Sequence, residues 1–132
     1  MVFVDTSFLI ASLNPRDSHH ADALALQDVL AGGDLITTNH VVGESWTFAG
    51  RRFGRHIALR LVDALQSGSR YTLIHVAAET EHRAWAWLRR HDEREYSFVD
   101  ATSFETMREQ GIDAALAFDA DFHAAGFQTV RA

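Results

Sequence analysis

The sequence predicts an α/β fold built on a parallel sheet, and three observations carry that prediction. Val2-Phe3-Val4 is a short apolar, β-prone run that opens almost at once into the apolar run Phe8-Leu9-Ile10-Ala11, as strands buried on both faces do. β-prone and helical stretches then alternate to the end of the chain. Acids stand at the ends of apolar strands, at Asp5 and again at Asp119, and the ligands of such sheets gather beyond the strands' carboxyl ends.

Each element has its own local reason. After the first strand and helix, Asn14-Pro15-Arg16-Asp17-Ser18 reads as a loop, because proline stops the helix and Asp and Ser favour turns. From His19 to Leu30, Ala23, Leu26 and Leu30 recur at helical spacing, and Gly32-Gly33 ends that helix. Asp34 to Thr38 is a second short strand. A helix follows from about Asn39 to Ala49, with Asn39 as candidate N-cap. Gly50 and Gly54 bracket Arg51-Arg52-Phe53 as a bend.

Arg55 to Gln66 is amphipathic, with Ala58, Leu61, Val62 and Leu65 on one face, and Ser67-Gly68-Ser69 closes it. Tyr71 to Val76 is a strand by β-propensity. Ala78 to Arg90 is a helix with Trp85 and Leu88 inward, its Glu79/Glu81 start and Arg89/Arg90 end suiting the helix dipole. His91 to Glu95 is a charged connector, and Tyr96-Ser97 leads into a helix that Gly111 stops. Ile112 to Phe118 is a strand, a short helical turn follows Asp121, and Phe127 to Val130 is the last strand.

Composition narrows the chemistry. At 132 residues, with 47% hydrophobic and 23% charged residues, the chain suits one soluble domain spanning residues 1-132. No apolar run approaches a membrane span and no basic leader precedes the first strand, so a cytoplasmic protein without a membrane partner is expected. The absence of cysteine excludes disulfides and thiolate metal sites and suits a reducing compartment. All twelve basic residues are Arg, which removes Lys-dependent phosphate loops and Schiff-base chemistry. A net charge of −6 argues against a general nucleic-acid coat, although local basic patches remain open.

Four carboxylates remain to be explained. Asp5 and Asp119 terminate strands; Glu44 shares a helical stripe with Val41 and Phe48, and Asp100 shares one with Ser103, Phe104 and Met107. Each has a plain alternative. Asp5 or Thr6 can cap a helix, Glu44 can reach water from the edge of its stripe, and Asp100 suits the dipole of a first turn. Jointly they are harder to dismiss, since strand C-ends and the following helix N-ends share one rim of a parallel sheet. Acids converging there repel one another unless a cation neutralises them, and a hard ion such as Mg²⁺ or Mn²⁺ is the natural partner. Such an ion polarises a phosphodiester and lowers the pKa of a water for in-line attack.

These residues resemble PIN-domain ribonucleases, specifically the VapC toxins of bacterial toxin–antitoxin pairs, over nearly the whole chain. The motifs are Val2-Phe3-Val4-Asp5-Thr6-Ser7, Asp17-Ser18-His19-His20-Ala21, Thr37 to Glu44, Ser97-Phe98-Val99-Asp100-Ala101-Thr102-Ser103-Phe104, and Phe118-Asp119-Ala120-Asp121-Phe122 with Gly126-Phe127. The resemblance implies a three-layer α/β/α domain with a mostly parallel five-stranded sheet. It also implies Mg²⁺- or Mn²⁺-dependent cleavage of transfer or ribosomal RNA, a VapB-type antitoxin as inhibitor, and homodimers. Asp5, Glu44, Asp100 and Asp119 take the family's catalytic and metal-ligand positions, with Asp121 as a candidate outer ligand. Thr6 and Thr102 resemble hydroxyl positions that bond the carboxylates or a metal's water. Without Lys, RNA has to be held by Arg, and the available clusters are Arg51, Arg52 and Arg55, and Arg89, Arg90 and Arg94; such clusters also serve as plain solvated faces.

Other readings have weaker support. Gly43-Glu44-Ser45-Trp46-Thr47 lacks the last glycine of a nucleophile elbow and lies inside a helix. The eight histidines include no HExxH motif that would hold zinc. Trp46, Trp85 and Trp87 can stack on bases or pack in a core or interface. A phosphatase using Asp5 as nucleophile is weakened by the missing Lys and by Ser at position 7. A catalytically silent PIN-like interaction module is the main alternative, and an intact acid set argues against it.

Overall fold

A computed structural model describes residues 1–67 and 70–131. The elements run β1 Val2–Val4, α1 Thr6–Leu13, α2 His20–Val29, β2 Leu35–Thr38, α3 Asn39–Phe53, α4 Arg55–Gln66, β3 Tyr71–Ile74, α5 Ala78–Arg90, α6 Phe98–Gln110, β4 Ala114–Leu116, α7 Asp121–Ala124 and β5 Gln128–Thr129. All four strand pairings are parallel, and the order across the five-stranded sheet is β3-β2-β1-β4-β5. The expected α/β/α fold is therefore present, with a sheet that is wholly parallel.

β1 is the central strand. Phe3 aligns with Ile36 on one side and Ala115 on the other, and Phe3 and Val4 are fully buried. From β1 the crossovers step outward through β2 to β3, then return to β4 and step outward the other way to β5. Right-handed connections of that order put α1–α4 on one face and α5–α7 on the other. The direction reverses between β1 and β4, so a crevice opens at their carboxyl ends.

The aromatic residues concentrate under α5–α7. Phe104 lies edge-on to Trp87, Tyr96 and Phe122, with ring centroids 5.2, 5.7 and 4.9 Å away, and Phe122 stacks on Phe3. Trp87 is the buried tryptophan of α5, whereas Trp85 is 47% exposed and stacks on Phe98, so the expected inward position of Trp85 is corrected. Leu88 does pack against the core. The apolar stripe of α5 runs through Thr80, Ala84, Trp87 and Leu88, one position out of phase with a stripe through Trp85.

Several boundaries also differ. Thr38, not Asn39, caps α3 by accepting from the Val41 amide, and Asn39 instead accepts from the Val76 amide across the sheet. α3 runs straight through Gly50 to Phe53, so the bend lies at Gly54 alone, where φ is +92°. β3 and β4 are shorter than the apolar runs that contain them because only the paired residues count as strand. Ser67 follows α4 as expected, while Gly68 and Ser69 lie outside the described residues. No described helix is long and apolar enough to cross a membrane.

Candidate active site

The crevice predicted by the strand order is a cleft of about 440 Å³, and Asp5, Glu44, Asp100, Asp119 and Asp121 all line it. The distant segments that bring these acids together are the end of β1, the second turn of α3, the first turn of α6 and the chain just past β4. The remaining polar lining includes Thr6, Ser7, Asp17, His19, Arg52, Glu95 and Ser97.

The choice between capping and site chemistry turns out to be a false one for two of the acids, and a third, Asp119, is also held by a local backbone bond. Asp5 is the N-cap of α1: its Oδ2 accepts from the Ser7 amide at 3.2 Å and from the Ser7 hydroxyl at 2.7 Å. Asp100 forms a capping box with Ser97, accepting from the Ser97 amide at 3.1 Å while its own amide donates to Ser97 Oγ at 2.9 Å. Asp119 Oδ1 accepts from the Asp121 amide at 3.2 Å. Each local bond uses one oxygen and fixes the carboxyl group, leaving the second oxygen outside that bond. Thr6 and Ser7 do not cap α1 in place of Asp5.

Ser7 is the residue that sequence reading undervalued. Its hydroxyl donates to Asp5 and accepts from the Phe118 amide at 3.0 Å. It thereby ties the end of β1 to the segment carrying Asp119, a contact between residues 111 positions apart. Among the hydroxyls predicted to support the acids, Thr6 lines the cleft beside Glu44, where it works against the rise of the Glu44 pKa, and it accepts from the Ser45 hydroxyl at 3.5 Å. Thr102 does not reach a carboxylate of the cleft: it donates to the Val99 carbonyl and meets His40 Nδ1 at 3.1 Å. His40 Nε2 is in turn 3.2 Å from Glu81, so this chain joins α3, α5 and α6 beside the cleft.

Burial without counter-charge raises the acids' proton affinity. Asp5 is 2% exposed, and its pKa is pushed up to about 8, first by desolvation and then by Asp119, against the lowering effect of the Ser7 bonds. Asp100 rises to about 6, mainly through desolvation, with Asp121 and Asp119 adding repulsion. Glu44 and Asp119 are also raised, and desolvation is the largest cause for both. Asp119 adds repulsion at Asp5, while Asp5 works against the rise at Asp119. Asp121 Oδ1 accepts from Arg94 Nε at 2.7 Å.

An all-oxygen set of desolvated, mutually repelling carboxylates fits a hard divalent cation, whose charge would remove the repulsion. The acids ring the cleft more than they close on a point. Among the described residues, no three His, Asp or Glu groups stand close enough to hold an ion in the arrangement seen.

The predicted arginines divide. Arg52 lines the cleft. Arg51 and Arg55 line a separate groove with Trp46, whose ring lies 5.5 Å from the Arg55 guanidinium carbon. Arg89 and Arg90 are exposed at the end of α5 and are not among the residues of the cleft. Arg94 is paired with Asp121.

A wholly parallel five-stranded sheet whose switch-point crevice is lined with acids defines the class: the chain belongs to the PIN-domain family, whose model matches residues 2–128. Within that family it is a VapC-type toxin. The 23S rRNA-specific endonuclease VapC20 of Mycobacterium tuberculosis is 50% identical over 131 residues, which are 99% of this chain and 98% of that protein. The crystal structure of M. tuberculosis VapC20, described as a sarcin–ricin loop cleaving toxin, superposes with a TM-score of 0.94 at 47% identity over the full length of both chains. VapBC2 from Rickettsia felis, bound to a DNA fragment from its promoter, shares the fold at 12% identity with a TM-score of 0.71, covering 98% of each chain.

Proposed function

We propose that this protein is a Mg²⁺- or Mn²⁺-dependent endoribonuclease toxin that cuts a ribosomal RNA loop. The observation that carries the reading is the set of four buried or half-buried acids, Asp5, Glu44, Asp100 and Asp119, gathered in one cleft with no guanidinium bonded to any of them among the described residues. Half of the sequence is shared with a 23S rRNA endonuclease along nearly its whole length, which favours ribosomal over transfer RNA.

Bound among these acids, a divalent ion would polarise the scissile phosphate and lower the pKa of the attacking water. The protein's own residues do the rest. Asp5, Asp100 and Asp119 are held by local backbone bonds, so each presents a fixed oxygen to the cleft. Glu44 closes the α3 side of the ring. Asp5, whose pKa is raised, must lose its proton before it can act as an anionic ligand, and Ser7 favours that loss by bonding the Asp5 carboxylate. Asp121, already paired with Arg94, is assigned an outer role that screens the rim.

A VapB-type antitoxin is assigned as the inhibitor, and a homodimer as the state of the free toxin. The antitoxin assignment is supported by a fold shared with a toxin–antitoxin complex from Klebsiella pneumoniae and with VapBC2 from Rickettsia felis.

The test is cleavage of a sarcin–ricin stem-loop and of bulk transfer RNA by purified protein, with Mn²⁺, with Mg²⁺ and with chelator, followed by mapping of the 5′ ends. Metal-dependent cuts in the stem-loop that vanish with Asp5→Asn are expected. Cleavage that persists in chelator, or in Asp5→Asn, overturns the metal-nuclease reading.

A further inference from the structure

The acid cleft poses an electrostatic problem for any polyanion, and one stripe of α3 answers it. Glu44, Phe48 and Arg52 follow one another at four-residue spacing, which puts them along one side of the helix, and all three line the cleft. Phe48 is 49% exposed, an unusual state for a phenylalanine beside seven carboxylate-bearing residues. It is not among the described residues packed against the core. Arg52 is the one arginine among the described residues of the cleft lining, and it forms no ion pair with a described acid.

The path continues past the cleft. Arg52 also borders an adjoining groove of about 430 Å³ whose other walls are Leu13, Asn14, Pro15, Arg16 and Phe53. Arg16 likewise has no carboxylate partner among the described residues. An acid, an exposed ring and two free guanidiniums thus follow in sequence from the acid site outward.

We propose that Phe48, Arg52 and Arg16 form the subsite for the single-stranded nucleotides next to the cut bond, with Phe48 stacking on a base and the two arginines holding successive phosphates. The inference rests on the ribonuclease reading above. The pattern is what single-strand binding requires, an aromatic platform that accepts any base beside a cationic track for the backbone. Because the acids repel the backbone everywhere else in the cleft, this track also sets the direction in which the strand leaves the site. The remaining arginine clusters at Arg51/Arg55 and Arg89/Arg90 take no part.

The experiment measures cleavage kinetics and binding for wild type, Phe48→Ala, Arg52→Ala, Arg52→Lys and Arg16→Ala, with Arg51→Ala and Arg89→Ala as controls. The probe is a fluorescein-labelled sarcin–ricin stem-loop in Mn²⁺, and binding is read by anisotropy in an Asp5→Asn background across a salt series. Phe48→Ala is expected to raise KM by roughly tenfold, as loss of one stacked base does, with kcat within about twofold and the salt slope unchanged. Arg52→Ala and Arg16→Ala are each expected to lower the slope of log affinity against log salt by about 0.7, the single-strand value for one phosphate. Arg52→Lys should restore that slope, which a merely structural role would not predict. Thermal melting of each variant separates binding loss from unfolding, and a variant that melts early is judged on Phe48→Trp or Arg52→Lys in its place.

Wild-type KM and salt slope in Phe48→Ala and Arg52→Ala, while the wild type itself cleaves, overturn the subsite and leave the nuclease reading intact. No metal-dependent cleavage by the wild type overturns the nuclease reading itself. Losses confined to capture of a co-expressed antitoxin would assign the stripe to a protein partner and also overturn the subsite.

Discussion

The molecule holds two groups of acids, one on the α5–α6 seam and one in the cleft, and they are treated in opposite ways. On the seam Glu105, only 8% exposed, accepts from Arg108 at 2.8 Å and lies 3.9 Å from Arg83. Glu109 bonds Arg83 and accepts from the Thr80 hydroxyl at 2.6 Å. Each acid there is paired with an arginine of the same chain. In the cleft, Asp5, Asp100 and Asp119 accept from hydroxyls and backbone amides, which orient a carboxylate without neutralising it, and none of the four acids is paired with a guanidinium among the described residues. The difference teaches what each group is for: paired acids hold α5 to α6, and unpaired ones store a demand for positive charge that something from outside has to meet.

That contrast can be broken most severely at Asp5. Asp5→Asn keeps an oxygen to accept from Ser7 and removes a ligand charge, so cleavage should fall by roughly 10³-fold or more. The same change removes a buried ionisable group, so the metal-free melting temperature should hold or rise. A large drop in melting temperature would mean that Asp5 is structural like Glu105.

Ser7→Ala comes next. It removes the bond to Asp5 and strands the Phe118 amide, so a loss of about 1–2 kcal/mol is expected in denaturant unfolding. Activity should fall roughly tenfold through misplacement of Asp5 and Asp119. Glu105→Gln tests the opposite group. Its arginine partners are well over a third exposed, so solvent screening limits the loss to about 1 kcal/mol, with kcat and KM unchanged.

The smallest effect is on pH dependence, and its sign is fixed by the raised pKa values. Asp5 titrates near 8 folded and Asp100 near 6, against ordinary values of about 3.9 in the unfolded chain. The folded protein therefore holds more protons between these limits. The stability these groups contribute is full below about pH 4 and is lost as pH rises, through about 6 for Asp100 and about 8 for Asp5. Metal affinity should run the other way, increasing from pH 6 to pH 8, with about one proton released per ion bound at pH 7. Calorimetry in buffers of different ionisation enthalpy reads that number, and a value of zero would contradict the raised pKa of Asp5.

Much of this was legible in the chain itself. Val2-Phe3-Val4 and the alternation of short apolar runs with amphipathic stretches determined a parallel α/β sheet, because a strand buried on both faces can afford no polar side. The placement of Asp5, Glu44, Asp100 and Asp119 at strand ends and early helix turns determined that they would share one rim, since β1 and β4 flank the point where the winding reverses. Local sequence also named Ser97 and Asp100 as a helix start. What it could not supply was phase and partnership. Trp85 and Trp87 lie two positions apart, and only packing against Phe104 and Tyr96 decided which one is buried. Thr102 looked equivalent to Thr6 until the fold set His40 against it. Six arginines looked alike as candidate RNA contacts, and the tertiary structure alone showed Arg52 opening onto the acid cleft, Arg55 beside Trp46, and Arg94 bound to Asp121. A residue's type and its helical phase are written in the chain, but the charge it faces belongs to segments tens of residues away, and only folding brings those segments together.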